Sequence, residues 1–110
     1  MKGEGRMTQI ERIEQMERIL NEAVKALEGL EHALERYKSL KDDIAKLEAY
    51  YTGPQWMADY QDDCEGKLPK DLKRGVLSED AVYDLLSTRD RLLEAMQAIG
   101  KEGKENKPAG

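Results

Sequence analysis

The sequence has no phenylalanine, and its aromatic complement is five tyrosines and one tryptophan. That is too little bulky apolar matter for a broad globular core. A single cysteine, Cys64, excludes an intramolecular disulfide, and with one histidine, His32, no Cys/His set of structural zinc ligands can be assembled. Disulfide scaffolds and zinc fingers are out. Nowhere does the chain offer the roughly 20 apolar residues that a membrane span needs, and its opening stretch, MKGEGRMTQ, has no apolar signal-peptide core. The expected compartment is the cytoplasm. Basic residues are outnumbered 18 to 23, and the resulting net charge of −5 argues against generic binding to phosphate backbones, which draws its affinity from lysine and arginine.

What is present is balanced: 37% charged and 39% hydrophobic residues over 110 positions, with a mean hydropathy of −0.80. The aliphatics are too plentiful for simple disorder, so one small, elongated helical domain fits best. From Ile10 to Tyr51 apolar residues recur at helical spacing, and between Ile13 and Tyr37 the steps alternate strictly between three and four. That is a heptad seam on one long amphipathic helix. The step from Tyr37 to Leu40 adds a further three, which locally overwinds the stripe. Gly29 lies inside this helix as a point of close approach or of bending, and the reading taken is a continuous helix over 8–52.

Gly53-Pro54 ends the first helix, and Pro54 can start a short one over 54–65 whose apolar side is Trp56, Met57, Tyr60 and Cys64, with Cys64 half-buried. Residues 66–78, rich in Gly and Pro, read as a loop. Ser78 reads as the N-cap of a second major helix over 79–99, stopped by Gly100. Residues 1–7 and 101–110 read as a disordered leader and tail around a single helical domain over 8–100. The expected fold class is all-α: a long antiparallel helical hairpin, coiled-coil-like, with a short helix and loop at its corner.

A first helix of roughly 42 residues is about 63 Å long, whereas a second of roughly 21 reaches about 32 Å. The seam from Ile10 to about Leu27 then has no evident intrachain partner, and three outcomes follow: the first helix breaks at Gly29 and folds back, the hairpin is displaced toward the N-terminus, or another chain covers the stripe. Burial of such side chains contributes on the order of 1.5 to 3 kcal/mol each, which favours cover by another chain. Ile13, Met16, Leu20, Ala23 and Leu27 are the candidates for driving association, either with a second copy or with another helical protein.

The corner is polarised. Residues 54–66 hold four acids (Asp59, Asp62, Asp63, Glu65) and no base, and residues 67–78 hold Lys67, Lys70, Lys73 and Arg74 against one acid. The simplest reading pairs the two runs with each other. Four of the six aromatics, Tyr50, Tyr51, Trp56 and Tyr60, fall within eleven residues there. They suit the packing of a corner, with Trp56, Asp59, Tyr60, Asp63, Lys73 and Arg74 as the residues that could receive a partner. An alternative places a small anionic ligand or a metal-dependent site at the same corner, with Asp59 or Asp63 as acid/base and Lys73 with Arg74 holding the anion. A second alternative is weak nucleic-acid binding through residues 67–74. The acids miss the spacing of a calcium loop, the glycines at 66 and 75 form no phosphate-binding loop, and His32 has no nucleophile in reach along the sequence. No catalytic residue, cofactor site or metal ligand is assigned.

The run from Trp56 through Asp59, Tyr60, Gly66, Leu68, Pro69, Asp71, Leu72, Lys73, Arg74, Gly75, Val76, Leu77, Ser78, Glu79 and Asp80 to Tyr83, with the upstream MTQIERIEQMERIL, resembles the bacterial family catalogued as domain of unknown function 4298. The likeness spans roughly residues 7–96. The resemblance implies an acid where this chain has Cys64, which weakens any thiol function. The resemblance implies a small helical cytoplasmic protein and brings no activity, cofactor or partner. The role expected is a non-catalytic protein-interaction or self-association module.

Overall fold

The structure is a computed structural model and describes residues 8–105. The chain is all-α, with 84% of the described residues helical and no strand among them. Helix α1 spans Gln9–Tyr51, α2 spans Pro54–Cys64, a single 3₁₀ turn spans Gly75–Leu77, and α3 spans Ala81–Glu105. Among the described residues, those up to Asp42 form one compact unit and those from Asp43 a second. The first unit contributes no buried residue, because α1 has none along its whole length.

Helix α1 starts on a reciprocal cap. The backbone N–H of Thr8 donates to Glu11 Oε1 at 2.9 Å, and the Glu11 N–H donates to Thr8 Oγ1 at 3.1 Å. Two donors that the first turn would leave orphaned are satisfied at once. The helix then runs through Gly29 without a break. A Cβ added at Gly29 would meet nothing within 4 Å, so within this chain the glycine marks no close approach.

The second unit begins in the last turns of α1. Gly53 is the N-cap of α2, and a Cβ there would lie 3.0 Å from the carbonyl oxygen of Ala49. Glycine is what lets the chain turn so close to the end of α1. Pro54 follows in the first turn of α2, where its missing N–H is no loss. At the other end Gly66 takes φ +73°, its N–H donates to the Asp63 carbonyl at 3.1 Å, and the Lys67 N–H donates to the Asp62 carbonyl at 2.9 Å. This is a Schellman stop, and it closes α2 at Cys64.

Helix α3 differs from expectation at both ends. Helix α3 begins at Ala81 and not 79, with the Asp80 carbonyl accepting its first helical bond from Asp84 at 2.8 Å. Ser78 still acts as a local cap, since its hydroxyl accepts from the Ala81 N–H at 3.2 Å. At the far end α3 runs through Gly100 and Gly103 to Glu105. An exposed glycine costs about 1 kcal/mol but leaves the hydrogen-bond ladder intact, so it weakens a helix without stopping it. The expected disordered tail therefore begins no earlier than residue 106, and that remainder, like the leader 1–7, lies outside the described residues.

The buried hydrophobic core is Trp56, Leu77 and Val82. One residue each comes from α2, the 3₁₀ turn and α3, which places the core at the corner.

Candidate functional site

The corner is built around Trp56. Its indole is stacked on the Tyr60 ring, with centroids 5.1 Å apart at 11°, and meets the Tyr51 ring edge-on at 5.2 Å and 74°. Helical spacing explains the first pair, because residues four apart share a face of α2. The indole Nε1 donates to the carbonyl of Val76 at 2.8 Å, tying α2 to the 3₁₀ turn. A tryptophan buried with its one polar atom satisfied is a structural anchor.

Around that anchor the polar groups are paired with each other. The Tyr50 hydroxyl donates to Asp59 Oδ2 at 2.7 Å, linking the end of α1 to α2. Burial, together with the bond to the Asp59 carboxylate, pushes the Tyr50 phenol up to about 12. The Tyr60 hydroxyl donates to Glu79 Oε1 at 2.7 Å, and this bond with the neighbouring Cys64 raises Tyr60 to about 12 as well. Arg74 donates through its guanidinium to Asp63 Oδ1 and to the Pro69 carbonyl, and through Nε to the Leu72 carbonyl at 3.3 Å. One side chain thus holds both the loop and the acidic helix.

The expected pairing of acidic run with basic run is visible at two positions. Arg74 takes Asp63, and Lys67 lies 3.0 Å from Glu65 and 4.0 Å from Asp62. Lys70 and Lys73 are exposed, with no ion pair among the described residues. A further contact closes the unit: Arg89 on α3 donates to Glu48 on α1 at 3.0 Å and to Asp90 at 2.9 Å, and these bonds, Glu48 first, push its guanidinium further above its ordinary value.

Of the corner candidates, the structure joins Trp56 with Tyr60, Asp59 with Tyr50, and Asp63 with Arg74. The two aspartates have different partners, Asp59 the Tyr50 hydroxyl and Asp63 the Arg74 guanidinium, and Lys73 is exposed. Among the described residues no three His, Cys, Asp or Glu side chains converge to hold a metal ion. Cys64 is exposed rather than half-buried, since the stripe from Trp56 through Tyr60 is covered only where the 3₁₀ turn lies over it. Met57, expected on the apolar side, is likewise 51% exposed.

Four residues escaped the sequence reading. Thr8 and Glu11 were legible as a T-x-x-E capping box, whereas the bond between Arg89 and Glu48, 41 residues apart, leaves no local signal.

The association candidates Ile13, Met16, Leu20 and Leu27 lie in the first unit, on α1 alone. Each is more than half exposed, and Ala23 between them is exposed too. Two shallow depressions follow the seam, one lined by Arg12, Ile13, Met16, Glu17 and Leu20, the other by Leu27, Leu30, Glu31, Leu34, Glu35 and Lys38. Each is lined by a single helix and open to solvent, so neither is a small-molecule cavity.

No described helix is long and apolar enough to cross a membrane. A family model described as Domain of unknown function (DUF4298) matches residues 13–99, a span that contains both the seam and the corner. No curated protein and no solved structure matches the chain.

Proposed function

The chain belongs to the DUF4298 family, and we propose that it is a non-catalytic association module whose working surface is the apolar face of α1. The observation that carries this reading is the row of eight large apolar side chains between Ile13 and Leu34, all on adjoining heptad positions and each between 42% and 65% exposed. Single exposed aliphatics are ordinary, but a contiguous row along one helix face marks a surface that another molecule covers. Half-exposure leaves on the order of 1 kcal/mol unrealised per side chain, enough in sum to offset much of the entropy lost on association. The natural occupant of such a stripe is another helix, packed coiled-coil fashion.

The corner serves as the clamp that fixes α2, the loop and α3. Its pairing leaves neither Asp59 nor Asp63 unpartnered for acid/base work, which disfavours the ligand-site reading. An exposed lone thiol at Cys64 suits a reducing compartment, and the cytoplasm is the location that goes with this proposal.

The test uses a photoreactive amino acid placed at Leu20, on the seam, or at Glu28, on the opposite face, in the full chain within its native cell. Leu20 should give a discrete cross-linked adduct and Glu28 none. If Leu20 yields no adduct beyond that of Glu28, the α1 face is not a docking surface.

A further inference from the structure

Resting on that reading, we infer that the occupant of the α1 face is a second copy of this chain, its α1 laid antiparallel in the register that centres the two-fold axis near Lys25. The argument starts from volumes. Ile13, Leu20, Leu27 and Leu34 hold one set of core positions, and Met16, Ala23, Leu30 and Tyr37 hold the other. In an antiparallel pair the two sets face each other. Ile13 then meets the partner's Tyr37, Met16 the partner's Leu34, Leu20 the partner's Leu30, and Ala23 the partner's Leu27. Every layer combines unlike or medium-sized groups and fills the space between helices. A parallel pair in register sets Ala23 on its own copy, leaving a void, and Tyr37 on its own copy, which overfills the layer.

Charge points the same way. Residues 11–22 carry four acids and two bases, and residues 36–46 carry four bases and two acids. Antiparallel packing sets the acidic early turns of α1 over the basic later turns of the partner, whereas parallel packing stacks the acidic start of α1 on itself. The seam's geometry also fits a closed pair. Its strict alternation ends at Tyr37, so the matched stretch is bounded at Ile13 and Tyr37, and two-fold symmetry pairs those ends with each other. The face is exposed along this stretch, and Gly29 lies outside the core positions, where it does not disturb the layers.

The test is sedimentation equilibrium with dipolar distance measurement on the full chain carrying Cys64→Ser and a single nitroxide at either Glu14→Cys or Glu28→Cys. The inference expects a dimer at tens of micromolar in which the Glu14 labels are about 33 Å apart along the axis and the Glu28 labels about 9 Å. Equal separations at the two sites mean a parallel pair and overturn it. A monomer with no intermolecular coupling also overturns it. Photo-cross-linking from Leu20 to a different protein would do so too while leaving the wider docking reading in place, whereas absence of any Leu20 adduct removes both.

Discussion

The indole nitrogen of Trp56 donates to the Val76 carbonyl at 2.8 Å, across twenty residues of chain, and this bond joins α2 to the turn that precedes α3. With the ring 7% exposed, the bond and the packing contribute separately. Trp56→Phe keeps most of the apolar contact but leaves the Val76 carbonyl without its donor, at a cost of about 1 to 3 kcal/mol. Trp56→Ala removes the ring from a three-residue core and costs about 3 to 5 kcal/mol. Urea unfolding followed by circular dichroism checks both, and equal losses in the two variants would mean that the hydrogen bond carries the whole effect.

Gly66 and Gly53 hold the two ends of α2 for different reasons. Gly66 needs its positive φ, which an L side chain adopts at a cost of roughly 1 to 2 kcal/mol, so Gly66→Ala should destabilise by that amount. At Gly53 the backbone is extended and unstrained, but a Cβ would press on the Ala49 carbonyl at 3.0 Å. Gly53→Ala should therefore be destabilising through crowding, and Gly53→Val more so. Thermal unfolding of the three variants separates conformation from space.

Tyr50 and Tyr60 both titrate near 12, against an ordinary tyrosine value of about 10. Because the folded-state values are raised, the unfolded chain releases these protons first, between about pH 10 and 12. The stability associated with the Tyr50 and Tyr60 hydroxyls is thus fully present below about pH 10 and lost as pH rises through 12. Spectrophotometric titration at 295 nm should show Tyr50 and Tyr60 ionising late. Tyr50→Phe should remove one late step and flatten the fall in stability over that window; loss of a step near pH 10 instead would show that Tyr50 is not held by Asp59.

The seam from Ile13 to Tyr37 was legible because its period is its signal, and Gly53, Pro54 and Gly66 were legible because each breaks a helix by a backbone rule of its own. The corner's wiring was not. That the acidic run meets the basic run could be expected from sign alone, but nothing local says that Arg74 takes Asp63 while Lys73 stays exposed. Cys64 misled because helical spacing names a face and does not say how far along it the cover extends. Gly100 misled because a glycine weakens a helix where a proline would have stopped it.

Gly29 tests the same distinction in α1. The helix passes through it, and the space where a Cβ would stand is open. Gly29→Ala should therefore stabilise α1 by about 1 kcal/mol, since it restricts the unfolded chain and introduces no clash. In the antiparallel pair residue 29 faces away from the partner, so the variant should also associate at least as tightly as the parent protein. Because association adds to apparent stability by mass action, the comparison must be made at one fixed protein concentration. Chemical denaturation at matched concentration, with sedimentation of the same samples, reads both quantities. A loss of stability or of association in Gly29→Ala would mean that the glycine is a site of close approach by a second chain, which the proposed register does not place there.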